Sequence, residues 1–264
     1  METFQLAGAG PVAYEKHLVP RLFEQLAERI VDMVGAAPDE EGLDVACGTG
    51  AVARRLLAVG VRVTGVDLNA DMLALALSLA PSATWVQGDA QALPFPDESF
   101  DLVTCQQGLQ FMPDAGAALR SIRGVLRPGG RVAVAVWRPL ATSPGFDALT
   151  DALDRRIGPD AGDVLRGPFA QGDPAPFRAL AAEAGFADVR VRNHCHAAHF
   201  ESVENLVLSE IASTPLAAAA GSWPPDTIPD MVADVSAALA DYVADDGLLF
   251  PICAYVVTGV ASDR

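Results

Sequence analysis

Lysine is almost missing from this chain: Lys16 stands alone among the cationic residues, the rest being arginine, against 34 acidic side chains and a formal net charge of −16. No basic stripe is available to neutralise phosphates, which argues against nucleic acid and against an anionic membrane as partners. Cysteine is scarce as well. Cys47, Cys105, Cys195 and Cys253 are widely separated and form no C-x-x-C pair, so neither a zinc module nor a disulfide framework is expected. They read as reduced thiols in a cytoplasmic protein. The opening METFQLAGAG lacks a cationic region followed by an apolar run, and the Ala-rich stretches are cut by charges or prolines well short of a spanning length, so neither export nor membrane insertion is expected. What is plentiful is apolar. With 51% hydrophobic residues over 264 positions the chain can fill one large core, and its Ala, Arg and Gly content points to a GC-rich bacterial genome.

Residues 14–34 repeat apolar positions at helical spacing through Leu22, Leu26, Ile30 and Val34, with Pro20 where a helix can start, so an N-terminal helix is expected on the core. A regular alternation follows: strands GLDVAC, RVTGVD, ATWVQGD, FDLVTCQ and RVAVAVW, with helices between most of them. That alternation predicts a parallel, doubly wound sheet. Beyond Trp137 the spacing becomes irregular, then PFRALAAEAGF reads as a helix and DVRVRNHCHAAHF and FPICAYVVTGVA as strands. Two insertions, about 139–172 and 201–245, exceed what connections need. Together with about 1–35 they are expected to form a helical lid on a single domain spanning 1–264.

The stretch LDVACGTGAVA, residues 43–53, fits the dinucleotide fingerprint G-x-G-x-x-A through Gly48, Gly50 and Ala53. Yet Asp44 sits at the end of the strand feeding that loop, where it would repel a pyrophosphate received by the loop amides. A ligand with an ammonium group beside the loop would welcome the carboxylate. S-adenosylmethionine is such a ligand, a nucleoside joined to an amino acid with no phosphate. Gly48 and Gly50 would then admit its close approach, and Asp44 would help hold its amino group directly or through water. Asp67, ending the next strand, can accept both hydroxyls of a ribose, which suits NAD equally well. Asp89 and Ala90, after the third strand, can meet an adenine amino group and a ring nitrogen, with Leu68 and Met72 flanking the ring.

In order and spacing LDVACGTG, VTGVDLNADML, GDAQALPFPDESFDLV and LRPGGRVAVAVW resemble the successive motifs of class I S-adenosylmethionine-dependent methyltransferases. The likeness is strongest to the branch of ubiquinone/menaquinone C-methyltransferases and small-molecule methyltransferases, and it covers about residues 40–138. It implies a Rossmann-like α/β fold whose seven-stranded sheet has order 3-2-1-4-5-7-6 with the last strand antiparallel. It adds Ala46 and Thr49 to the loop contacts, and Gln106, after the fourth strand, at the cofactor's methionine end. S-adenosylhomocysteine is the product it implies.

The remaining candidates concern the acceptor. Tyr14 and His17 lie on the N-terminal helix, Trp137 ends the fifth strand where the cleft of such a sheet opens, and His199 closes the HCHAAH cluster. His194 and His196 alternate with Cys195 on a strand and lack a ligand spacing, so no metal is assigned. A sulfonium methyl is electrophilic without help, and transfer needs chiefly alignment and exclusion of water. A base such as His17 or His199 matters only for an acceptor that arrives protonated, and the sequence names no catalytic residue. The expected acceptor is a neutral or weakly polar small molecule, a secondary metabolite or quinone-like compound methylated at oxygen or carbon. Two rival readings stay open: the same fold performing a cyclisation or binding without transfer, and an NAD-dependent oxidoreductase.

Overall fold

A computed structural model describes residues 6–170 and 174–262. Five parallel strands come first: β1 (Glu41–Val45), β2 (Arg62–Asp67), β3 (Thr84–Gln87), β4 (Phe100–Gln106) and β5 (Leu126–Trp137). Two long strands follow, β6 (Phe186–Phe200) and the later hairpin of β7 (Val243–Ala244) with β8 (Gly247–Ala261). The sheet runs β3-β2-β1-β4-β5-β8-β6, with β8 antiparallel to both neighbours. This is the order the resemblance implies. The two-residue β7, paired only with β8, is an eighth strand beside the expected seven.

The sheet is buried on both faces, and the sequence of β5 shows how. Ala133, Ala135 and Trp137 pack into one apolar cluster, with α2 (Glu24–Val34) and α3 (Ala51–Ala58), while Val132, Val134 and Val136 pack into the other, with α5 (Ala115–Val125) and α8 (Pro174–Glu183). α4 (Ala70–Leu79) starts at Asn69, whose side chain accepts the Asp71 and Met72 amides and so caps it.

The N-terminal segment departs from the expected single helix. It forms α1 (Gly10–His17), one wide turn Val19–Phe23 and then α2. Pro20 has no N–H to offer the preceding turn. The guanidinium of Arg21 donates instead to the carbonyls of His17 at 2.9 Å and Lys16 at 3.5 Å.

The insertion after β5 holds two helices, α6 (Pro144–Arg156) and α7 (Pro159–Arg166), the second obscured in the sequence by its Pro and Gly content. The other carries α9 (Val203–Ala212), the short α10 (Leu216–Ala220) and α11 (Thr227–Ala238). Arg156 of α6 pairs with Asp230 and Asp234 of α11, tying the insertions together. The outermost expected lid residues, 1–5 and 171–172, lie outside the described residues.

One expectation is overturned. Cys195 and Cys253 form a disulfide, because the register of β6 on β8 sets them directly opposite, their Cα atoms 4.1 Å apart. Their separation of 58 residues in sequence concealed this. Cys47 and Cys105 are free and buried. Among the described residues no helix is long and apolar enough to cross a membrane.

Candidate active site

The carboxyl ends of β1, β2, β4 and β5 open onto one cavity of about 370 Å³, at the point where the strand order reverses between β1 and β4. The loop after β1 is pinned to β2: the Cys47 amide donates to the Val66 carbonyl at 3.1 Å, and the Gly48 amide to Asp67 Oδ2 at 2.8 Å. Its two glycines serve different ends. A Cβ on Gly48 would meet nothing within 4 Å, and the residue borders the cavity, so the loop leaves free space there. Gly50 starts α3 at φ 85°, where a Cβ would strike the Trp85 indole at 2.6 Å.

Asp44 is placed behind this loop, not on the cavity wall. It is 1% exposed, Oδ1 accepting the Thr104 hydroxyl at 2.9 Å and Oδ2 the Ala53 amide at 3.1 Å. Register explains the first bond, since Asp44 and Thr104 are partners across β1 and β4. Burial pushes its carboxyl up to about 7, against the pull of these two bonds. Thr49 is buried too, its Oγ1 without a hydrogen-bond partner and its carbonyl taken by Arg54 at 2.8 Å.

Ala46, Gly48, Asp67, Leu68, Met72, Asp89, Ala90 and Gln106 all line the cavity. Asp67 accepts the Gly48 and Asn69 amides on its two oxygens, and burial raises its pKa despite them. Asp89 is exposed and caps the turn Ala90–Ala92 by accepting the Gln91 amide. The Gln106 amide nitrogen donates to the Phe23 carbonyl at 3.1 Å, which leaves its buried Oε1 unpaired.

Of the acceptor candidates, Tyr14 and Trp137 line the cavity, whereas His17 and His199 do not. His199 is on the exposed side of β6, its Nε2 2.8 Å from the Asp246 carbonyl. His194 and His196 sit on one face of the same strand, ring centroids 5.6 Å apart. Tyr14 and Trp137 belong to a run of rings, Tyr14, Phe23, Trp137, Phe169 and Phe146, with successive centroids 5.2–6.2 Å apart. Burial, the first cause, and the neighbouring Glu15 and Asp67 carboxylates raise the Tyr14 phenol.

Sequence reasoning missed part of the wall. Gln107 and Gln110 follow β4 and are buried, with Gln107 Nε2 and Gln110 Oε1 unpaired; the run QQGLQ was the available signal. Glu210 and Thr214, on and after α9, close the far side. Among the described residues no lysine or arginine lines the cavity, although three carboxyl side chains do, Asp67, Asp89 and Glu210. A pyrophosphate there would find no cationic partner among these residues and would face the acids at Asp67 and Asp89.

Residues 43–134 match the family model described as a methyltransferase domain. A demethylmenaquinone methyltransferase of Beutenbergia cavernae is 37% identical over 173 residues, 62% of this chain and 72% of its own length. The enzyme of the same name from Staphylococcus aureus is 31% identical over 200 residues, covering 69% and 80%. The chain belongs to the class I S-adenosylmethionine-dependent methyltransferases. Within them it falls in the menaquinone, type 11 branch. The fold agrees: Haemonchus contortus phosphoethanolamine N-methyltransferase 2, solved with S-adenosylmethionine, superposes with a TM-score of 0.63 at 19% identity, over 97% of this chain and 57% of its own. The YcgJ protein of Bacillus subtilis superposes with 0.61 at 18% identity, over 91% and 99%.

The methyl donor of this methyltransferase is S-adenosylmethionine, and the cavity suits it. Space stands open over Gly48, an acceptor oxygen is orphaned on Gln106, and among the described residues no cationic side chain lines the walls to repel a cationic donor.

Proposed function

We propose that this methyltransferase methylates a small, weakly polar, quinone-like acceptor at oxygen or carbon, in the part of the cavity lined by rings. One observation carries this reading. The cavity runs on from the glycine loop to a roof made by Leu18, Leu22 and Phe23 on one side, Phe146, Leu165 and Phe169 on a second, and Glu210 and Thr214 on a third. Each belongs to a different lid segment, so the N-terminal region and both insertions act as one lid. A mostly apolar cavity of this size, roofed on three sides, accepts a ring or short chain rather than a polymer. The demethylmenaquinone methyltransferases that this chain resembles carry a compatible substrate in their name.

Along the carboxyl ends of β1 to β3, Gly48 and the loop from Ala46 to Gly50 would cradle the donor, Asp67 its ribose hydroxyls and Asp89 with the Ala90 amide its adenine. Leu68 and Met72 would cover the ring faces. Gln106 would take the amino-acid end through Oε1, while Asp44 acts from behind by fixing the start of α3. When bound, S-adenosylmethionine supplies an electrophilic methyl group whose departure leaves the bonding pair on sulfur. The chain's share is to align the acceptor, through the rings, and to exclude water.

A structure with S-adenosylhomocysteine and 1-naphthol tests this reading. The expected result is sulfur facing the Trp137 and Phe169 rings with naphthol between them. Naphthol absent from that space, or a peptide acceptor lying across an open groove, would overturn it.

A further inference from the structure

Glu210 is the least explained side chain in the molecule. It is 2% exposed on α9, it lines the cavity, and its Oε1 has no hydrogen-bond partner. Buried carboxyls without partners are costly and therefore rare. Among the described residues no ion pair reaches it from α1, α10, α11 or β6, the elements packed on α9. On α1, which packs against α9, Glu15 is engaged by Arg54 at 2.8 Å; on α11, Asp230 and Asp234 are engaged by Arg156. The Thr214 hydroxyl donates to the Glu210 backbone carbonyl, not to its carboxyl. The other titratable groups on the cavity, Tyr14, Asp67 and Asp89, contribute nothing to its titration, and burial alone pushes the Glu210 carboxyl up to about 8.

We propose that Glu210 binds the acceptor's hydroxyl group and takes its proton during methyl transfer. The inference rests on the small-acceptor reading above and adds the substrate class, a phenol or hydroquinone. In the step, the acceptor O–H bond breaks with its electron pair left on oxygen, and the proton passes to the Glu210 carboxylate. The new bond to the methyl carbon forms from that oxygen as the methyl–sulfur bond breaks with its pair left on sulfur; where the ring carbon attacks instead, its proton moves to the ring oxygen and restores the hydroxyl. Glu210 returns its proton to water when product leaves. A carboxylate raised toward the acceptor's own range is a better base for a phenol than an ordinary one. The unpaired Gln107 and Gln110 atoms favour the same class: one is a donor and one an acceptor, as a ring with two oxygens requires. An ammonium acceptor would satisfy the carboxylate but leave Gln107 Nε2 unanswered.

The test is equilibrium binding of S-adenosylhomocysteine, followed by 1-naphthol, naphthalene and 1-naphthylmethylamine, to the wild type, Glu210→Gln and Glu210→Ala. The wild type is expected to prefer naphthol to naphthalene about tenfold, with the preference growing as pH rises through about 8. In Glu210→Ala the preference disappears. In Glu210→Gln, which keeps shape and hydrogen bonding, it persists without pH dependence and decides the matter if the alanine variant melts early. S-adenosylhomocysteine affinity stays the same in all three. Equal binding of naphthol and naphthalene by the wild type, unchanged pH dependence in Glu210→Gln, or tighter binding of the amine would overturn the proposal. Failure of the wild type to bind S-adenosylhomocysteine would instead refute the methyl-transfer reading on which it rests.

Discussion

Asp67 and Asp44 are the two acids the motif carries, and they do different work. Asp67 faces the cavity while its oxygens also anchor the Gly48 and Asn69 amides. Asp67→Ala should weaken S-adenosylhomocysteine binding by about 1–3 kcal/mol, partly through a looser loop; unchanged affinity by calorimetry would remove Asp67 from the site. Gly48→Val should be worse, because the side chain would fill the free space over the loop and strain a backbone at φ 54°. Asp44 predicts a pH effect. Its folded carboxyl lies near 7 and its unfolded one near the usual 3.8, so between those values the folded state holds the extra proton. Its contribution to stability is therefore full at the acid end and lost as pH rises through about 7. Against Asp44→Asn, the wild type should lose about 1–4 kcal/mol across that window, measured as the difference in urea midpoints. The comparison isolates this group from carboxylates of opposite sign, such as Asp101, which its bond to Arg127 holds below the usual range against the effect of burial. A constant difference would show that Asp44 titrates normally.

Among the elements, the glycine loop and its strands were legible because period-two and helical apolar patterns act locally and the motif spacing is tight, while the sheet order came from the family resemblance. Lid geometry was not. Glu210 comes to the cavity through packing of α9 on α1 and α10, contacts that no pattern along the sequence announces. The His17 and His199 readings show the same limit, since residue type gave chemistry but not direction. Likewise the Cys195–Cys253 bond depends on β6 and β8 meeting in one register. Reduction with dithiothreitol should lower stability by about 2–4 kcal/mol in urea titration, while the cofactor end, on the far side of the sheet order, keeps its affinity. Loss of S-adenosylhomocysteine binding on reduction would contradict that separation of parts.

At the scale of the whole molecule, an acidic chain carries a largely apolar cavity, and in the proposed reading a cationic donor and a neutral acceptor lie in it. The net charge of −16 and the absence of lysine and arginine from the cavity wall among the described residues act together. Both disfavour phosphate-rich ligands, whether a dinucleotide held at the loop or a nucleic acid as acceptor. In the proposed reading the lid segments supply what an exposed loop motif lacks, apolar cover over the space next to the donor. The most direct test is mass spectrometry of reduced naphthoquinone incubated with the protein and S-adenosylmethionine carrying a trideuteromethyl group. The account predicts one trideuteromethyl group on the naphthoquinol, with an equal amount of S-adenosylhomocysteine formed. Tight S-adenosylhomocysteine binding with no label on this or any other small phenolic acceptor would contradict it.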